Sequence, residues 1–454
     1  MVSNDWCKVD INMIPHIKEK PPGPKSREMW DRISPYMQGF STPAKVMRIC
    51  YEKSNGMTVT DVDGNEYIDF AAGICVANCG HNHPKVKEAM HKQLDKMING
   101  HDFVTRSKVE LVEKLHELTP GDLKGVQLYC SGAEAVEYGL RTAKAVTGCS
   151  EFLTFYRDFH GKTPFAKSLG NVDALNGPRI QGFYRVPYAH CYRCSFRMEY
   201  PQCNLHCAEF IKESIVEQST GQIAAIVAEP VQGFSGSVVP AKGFLKRIRE
   251  ICDELGILMM LDEVATGFGR TGAMFACEHD GVVPDIMTVG KGFGNGAALS
   301  GVLYKQDYVE YVAKTSSSTT HGGNPLACAA ANAAIDVILE EGLVENSRRV
   351  SETMLKRMQA IKERHPLVGD VRGQGLFLGI ELVKDRETKE PFVEAGIAVF
   401  KRAFEKGVAW IPANENLRIT PPLIITEEVA LKGLDIIEEA IGEVEEELRK
   451  NGKS

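Results

Sequence analysis

The chain has 454 residues, 43% of them hydrophobic and 25% charged, and its 53 basic and 60 acidic side chains leave a formal charge of -7. That balance excludes a broad positive face for nucleic acid, and no uncharged apolar run approaches the roughly 20 residues that a bilayer crossing needs. The amino terminus, Met1-Val2-Ser3-Asn4-Asp5-Trp6-Cys7, has neither the basic nor the apolar region of a signal peptide, so a cytoplasmic protein with no membrane partner is expected.

Residues 1 to 60 are mixed: Pro21-Pro22-Gly23-Pro24 breaks any long element, and a helix is expected at 44–53. Residues 57–70 alternate around Asp63-Gly64, the signature of a β-hairpin. From 84 to 345, short apolar runs alternate with amphipathic stretches such as 134–147, 244–255 and 325–339. This is the rhythm of an α/β domain with a mostly parallel sheet sandwiched by helices. A helix at 344–365 leads into apolar strands at 368–383, punctuated by Gly373, Gly375 and Gly379; shorter strands at 409–411 and 417–419 precede a last helix at 426–450. The early hairpin and these late strands imply a smaller α/β domain built from both chain ends. The expected division is 1–83, an amino-terminal segment and part of the small domain; 84–345, the large domain; and 346–454, the rest of the small domain.

Three apolar runs of the large domain end in functional groups. Residues 223–228 lead into Glu229-Pro230-Val231-Gln232-Gly233, residues 257–261 into Asp262-Glu263, and residues 286–289 into Gly290-Lys291-Gly292. In an open α/β sheet, ligands bind outside the carboxyl ends of the strands. A lysine in such a turn can form an imine, and a buried aspartate can keep a ring nitrogen protonated through a charge-assisted hydrogen bond. Ser131-Gly132-Ala133-Glu134 follows a strand at 126–130 and opens a helix, where a phosphate would meet unpaired backbone N–H groups and the positive helix end. Lysine, carboxylate and phosphate turn together are what pyridoxal phosphate requires of a protein. Taken singly, the 131–134 turn is equally a plain strand-to-helix connection, and Phe159-His160-Gly161 is either core or a flat ring stacked on a cofactor. Arg418, in Asn416-Leu417-Arg418-Ile419-Thr420, is by itself either a structural ion-pair partner or a fork for a substrate carboxylate.

The stretch Leu261-Asp262-Glu263-Val264-Ala265-Thr266-Gly267-Phe268-Gly269-Arg270-Thr271-Gly272, followed by Pro284-Asp285-Ile286 and Gly290-Lys291, resembles the class III aminotransferases. These are the ω-amino-acid, ornithine and 4-aminobutyrate branch of the fold type I pyridoxal-phosphate enzymes, and the similarity spans residues 30 to 445. It implies that Lys291 bonds the cofactor and then moves the proton, that Asp262 binds the pyridine nitrogen, and that Val264 packs beneath the ring. Phe159 would stack on the other face, Gly132 and Ala133 would hold the phosphate, and Gln232 would lie near the phenolic oxygen. Thr320, in Thr319-Thr320-His321-Gly322, matches a threonine that reaches the phosphate of a neighbouring subunit, which implies a homodimer or a dimer of dimers. Arg418 matches the family's carboxylate-binding arginine, and Tyr36 lies on a segment that lines the substrate pocket.

The resemblance implies transfer of an amino group from an ω- or α-amino acid to a 2-oxo acid such as pyruvate or 2-oxoglutarate. Reprotonation at the original carbon would instead make a racemase or epimerase, as in some members that this chain resembles. Two departures bear on substrate choice. Phe234 stands where relatives commonly place a glutamate that pairs with the arginine, so an apolar wall favouring pyruvate, or an amino acid held by its α-carboxylate, is expected. Thr319 and His321 stand where histidine and an aromatic residue are usual.

Of thirteen cysteines, nine are scattered, and most of those read as small buried hydrophobes, as at Cys75, Cys252 and Cys328. Cys191, Cys194, Cys203 and Cys207 instead form a CxxC followed, after eight residues, by a CxxxC. This spacing leaves three readings open: a structural Zn²⁺ held by four thiolates, free thiols, or disulfides.

Overall fold

The structure, a computed structural model, describes residues 5–170, 180–411 and 414–451; residues 1–4, part of the amino-terminal stretch read above, lie outside them. The chain divides into two compact units, one made of Met1–Pro84 with Glu340–Ser454 and the other of Lys85–Leu339.

The first unit starts with an antiparallel meander of β1 (Tyr51–Asn55), β2 (Thr58–Asp61) and β3 (Glu66–Asp69). At the β2–β3 turn the Asp61 carboxylate accepts the backbone N–H groups of Asp63 at 3.0 Å and Asn65 at 2.9 Å, and Gly64 takes the positive φ of 87° that the Asp-Gly pair requires. The helix expected at 44–53 is shorter, Thr42–Met47. Arg48 adopts a left-handed backbone, φ 50°, that ends it, and the residues beyond are claimed by pairing of β1 with β2.

The second unit carries β4 (Gly125–Tyr129), β5 (Glu151–Phe155), β6 (Phe183–Val186), β7 (Ile223–Ala228), β8 (Leu258–Asp262), β9 (Ile286–Val289) and β10 (Ser300–Tyr304). They form one sheet in the order β4-β10-β9-β8-β7-β5-β6. β10 is antiparallel to both neighbours, while β9, β8, β7, β5 and β6 pair in parallel, so six of the seven strands run one way. β7 and β9 are buried along their whole length, and β8 along all but its first residue. Strands covered on both faces cannot alternate apolar with polar, which is why these three read as unbroken apolar runs.

The helix Gly132–Thr147 shows how sequence places an element on this sheet. Its first turn is closed by a capping box, in which Glu134 accepts the Ser131 backbone N–H at 2.8 Å and Ser131 Oγ accepts that of Glu134 at 3.3 Å, and it stops at Gly148, φ 72°. Ala135, Val136, Leu140 and Ala143 then enter one core with Phe152, Ala225, Val227 and Met260. Each large apolar side chain so buried contributes roughly 1.5–3 kcal/mol.

Later chain completes the first unit with β11 (Val368–Gln374), β12 (Phe377–Leu382), β13 (Val408–Ala409) and β14 (Asn416–Ile419). β13 joins β3 in parallel, so one small sheet draws on both chain ends, and β11-β12-β14 form an antiparallel sheet of their own. The last helix, Glu427–Lys450, begins where the Thr426 side chain accepts the Val429 N–H. No helix among the described residues is long and apolar enough to cross a membrane.

Candidate active site

Because β4, β5, β7, β8 and β9 run the same way, the residues that follow them open on one edge of the sheet. Asp262 is the last residue of β8 and is only 4% exposed. Its carboxylate accepts from Thr288 Oγ1 on β9 at 3.0 Å and from the Val264 backbone N–H at 3.1 Å, and its other oxygen lies 2.8 Å from His160 Nδ1. The parallel register that sets Asp262 opposite Thr288 makes the first of these contacts automatic.

His160 carries the network onward. Its Nε2 lies 3.3 Å from Asp158 Oδ2, and the Gln232 amide donates to Asp158 Oδ1 at 2.7 Å and to the Tyr156 carbonyl at 2.8 Å. Burial pushes the imidazole down, but its hydrogen bonds to Asp158 and Asp262 and their charges outweigh that and hold it up at about 10. The ring is therefore a cation sandwiched between two carboxylates. For Asp158 burial wins, raising its carboxyl against the hydrogen bonds from His160 and Gln232.

Glu229, one residue beyond β7, ties two loops together. It accepts the backbone N–H of Phe159 at 2.7 Å through one oxygen and that of Gly233 at 3.0 Å through the other. Burial, and next the field of Asp158, lift it to about 8. The loops so fastened bring Phe159 and Phe234 into a stack, with ring centres 5.2 Å apart and planes 23° from parallel. Ser235 Oγ, which donates to the Arg157 carbonyl at 2.7 Å, closes the same pair of loops.

Val264 is the hinge of the arrangement. A Cβ on Gly132 would meet its Cγ1 at 2.9 Å, and one on Gly290 would meet the same atom at 3.3 Å. The helix N-terminus at Gly132, the Asp262 loop and the turn bearing Lys291 thus converge on one side chain. A Cβ on Gly161 would strike that of Ala133 at 2.8 Å, so the loop after Phe159 presses against the same helix start. Lys291 has a left-handed backbone, φ 48°, which is costly for a residue with a side chain and marks a position held in place by its surroundings.

Gly132, Ala133, Phe159, Gln232, Phe234, Asp262, Val264 and Lys291 are accordingly neighbours on one strand-end surface. Thr320 belongs to the same unit but is exposed; its segment is laid along β4 by hydrogen bonds of 3.2 Å from Gln127 and 3.1 Å from Tyr129 to the Ser317 carbonyl. Arg418 and Tyr36 belong to the other unit. Arg418 is 8% exposed on β14, opposite Gly379 of β12, and Tyr36 is 90% exposed. Sequence reasoning gave no role to His160, Asp158, Glu229 or Thr288. Their signal was present, since each lies within a few residues of a strand end facing the same edge, but nothing in the order of residues says that one imidazole spans two carboxylates.

The surface fits pyridoxal phosphate on its own chemistry. A rigid, buried carboxylate, a lysine on a strained turn, a flat aromatic platform and a capped helix start kept open by Gly132 are the donors and shapes that the group needs. The sequence model of class-III aminotransferases matches residues 40–441. The chain is 38% identical to the leucine/methionine racemase of Thermococcus litoralis, over 88% of this chain and 94% of that one. It is also 38% identical to the 5-aminovalerate aminotransferase DavT of Pseudomonas putida, over 87% and 94%. Among solved structures it is similar to a PLP-bound amine transaminase from an uncultivated Pseudomonas species, with a TM-score of 0.86 and 30% identity over 90% of this chain and 98% of that one. The chain belongs to the class-III aminotransferase family and has the fold type I architecture. It is a pyridoxal-phosphate-dependent enzyme that transfers an amino group between an amino acid and a 2-oxo acid.

Proposed function

We propose that Lys291 bonds the cofactor and serves as the base that carries a proton away from the amine-bearing carbon of the substrate, with pyruvate or an apolar α-amino acid as the favoured partner. When bound, the cofactor supplies an electron sink for that carbon. Asp262 keeps the ring nitrogen protonated, and the observation that carries the reading is its environment: a fully buried carboxylate fixed by His160, Thr288 and the Val264 N–H has no freedom to turn away. Gly132 and Ala133 seat the phosphate on the helix start, Val264 and Phe159 take the two ring faces, and Gln232 acts from behind by orienting Asp158. The Phe159–Phe234 stack extends the aromatic wall toward the substrate, which supports small or apolar partners over a second carboxylate. Arg418 grips the α-carboxylate, and Tyr36 lines the substrate pocket.

Thr320 completes a phosphate site on a second copy in a homodimer or dimer of dimers located in the cytoplasm. Exposed apolar side chains support an interface, notably Phe103 at 80%, Val104 at 77% and Ile98 at 56%. Light scattering of the purified protein tests this, and a monomeric active enzyme would end it.

The name of the Thermococcus litoralis relative favours a second reading, in which the proton returns to its original carbon from the opposite side and the enzyme racemises an apolar amino acid. One experiment separates the two. Each of a panel of α- and ω-amino acids is incubated with pyruvate or 2-oxoglutarate, beside a chiral assay without acceptor. A new amino acid formed only when a 2-oxo acid is present supports transfer to that acceptor; inversion of configuration without one makes racemisation the main activity.

A further inference from the structure

The connection from β6 to the helix His206–Gln218 contains no regular element longer than the three-residue 3-10 turn Cys191–Arg193. Its backbone hydrogen bonds are local: His190 donates to Tyr188, Arg193 to His190, Arg197 to Cys194, Cys203 to Glu199 and Asn204 to Pro201. Beyond these turns the loop is held by side chains, with Tyr200 Oη donating to the Lys242 carbonyl at 3.2 Å and Phe196 packed on His206 and Phe210 of the helix. A stretch this long without secondary structure is uncommon in a compact domain, and a cross-link within it would add most to its order.

Three cysteines lie within it and a fourth just beyond it. Cys191 opens the 3-10 turn, Cys194 closes it, Cys203 lies on the turn ahead of the helix, and Cys207 is in the helix's first turn. All four line one cavity, with Phe196 and Leu205 on its apolar wall. All four are free thiols, with Cys191 exposed and the others half-buried.

Among the described residues no three His, Cys, Asp or Glu side chains are already drawn into a metal-binding set, so the thiols share a cavity rather than a point. Cys191, Cys194 and Cys203 sit on turns outside the helix, where side-chain rotation can bring sulfur inward. Four soft sulfur ligands select zinc over harder oxygen-preferring ions, and a site with four protein ligands keeps no open position for catalysis.

We propose that Cys191, Cys194, Cys203 and Cys207 bind one Zn²⁺ as a tetrathiolate structural site that staples this loop to the start of the helix His206–Gln218. Binding displaces the thiol protons, so affinity falls as the solution is acidified.

The test begins with the wild-type holoenzyme, expressed without an affinity metal and purified without chelator. Plasma mass spectrometry is expected to find about one zinc per chain, released by a mercurial thiol reagent. Exchange into Co²⁺ should give the visible bands of a tetrahedral thiolate centre, read to the red of the cofactor's absorption. The double variant Cys194→Ser/Cys203→Ser should lose the zinc and become open to proteolysis between 187 and 205 while keeping the cofactor's absorbance. Absence of stoichiometric zinc, with four rapidly alkylated thiols in the native protein, would overturn the proposal, and so would disulfide-linked peptides from these positions under non-reducing digestion. If the double variant fails to fold, the wild-type metal content and mercurial release decide the matter.

Discussion

The two ends of the strand-end surface are built on opposite rules. Around Asp262 the side chains are buried, charged and cross-bonded, with His160 locked between two carboxylates. Around Phe234, which is 44% exposed, the wall consists of aromatic rings on loops. The difference teaches which parts of the enzyme are fixed and which are open to change. Electrostatics that must act on a reacting carbon cannot tolerate reorganisation and are set in a rigid sheet, whereas substrate choice is left to loops whose alteration costs the fold little.

The strongest way to break this contrast is at the rigid end. Lys291→Ala removes the group expected to bond the cofactor and to move the proton, and kcat should fall by about 10³-fold or more, with the folded content by circular dichroism unchanged. Covalent cofactor, read as label retained after borohydride reduction and denaturation, should vanish with it. Activity within tenfold of wild type would show that another base does the work.

Much of this end was legible in the sequence. The apolar runs that became β7, β8 and β9 are uninterrupted because both faces are covered, and the residue at each carboxyl end therefore announces a site. The hairpin at Asp63-Gly64 and the capping sequence Ser131 to Glu134 were equally readable, since turn and cap chemistry are local. The helix expected at 44–53 failed for the complementary reason: β1 exists because β2 offers it a partner, and pairing is not written in a segment's own residues. The Asp158–His160–Asp262 relay was hidden likewise, because it joins positions 102 residues apart in the chain. Gln232, expected near a cofactor oxygen, donates its amide N–H groups to Asp158 and Tyr156, contacts that the fold rather than the segment's own residues defines.

The relay gives the next largest effect. His160→Asn leaves Asp158 and Asp262 without the cation between them, and loss of one partner of a buried ionic set costs about 3–5 kcal/mol. The wild-type pH dependence should carry the same signature. An imidazole raised from 6.5 to about 10 binds its proton more tightly in the folded state, so its stabilisation is complete below 6.5 and is lost as pH rises toward 10. Glu229, raised from 4.5 to about 8, favours the folded state in its protonated form and acts in the same direction over the lower window. Urea unfolding of the cofactor-free chain should therefore show stability falling between pH 6.5 and 10, with a shallower fall in His160→Asn. A wild-type profile that stops falling above pH 8, where Glu229 has titrated, would mean that the imidazole is neutral and that Asp262 is held by hydrogen bonding alone.

Arg418 tests whether burial alone makes a residue part of the rigid machinery. It is as buried as many core side chains, yet its proposed task is binding rather than chemistry. Arg418→Ala should raise KM for carboxylate-bearing partners by about 10²-fold, the loss expected when one member of a buried charge pair is truncated, while the cofactor's affinity and the exchange of substrate protons at saturation change little. A variant that loses cofactor instead would move Arg418 from substrate recognition to structure.

The mildest change probes the open end directly. Phe234→Ala removes one ring of the Phe159 stack without touching a charged group, so its effect is bounded by what an aromatic pair contributes, about 0.5–1.5 kcal/mol or roughly 2- to 10-fold. If the ring forms a substrate wall, that factor should appear in kcat/KM for bulky apolar amino acids and be nearly absent for alanine and pyruvate, which are too short to reach it. The cofactor's absorption should stay as in wild type, because Glu229 still pins the backbone of both loops through the Phe159 and Gly233 N–H groups. An equal loss for every substrate would carry a different meaning: Phe234 would then be acting through Phe159 on the cofactor platform, and the aromatic wall would belong to the rigid end of the surface rather than to the part that chooses substrates.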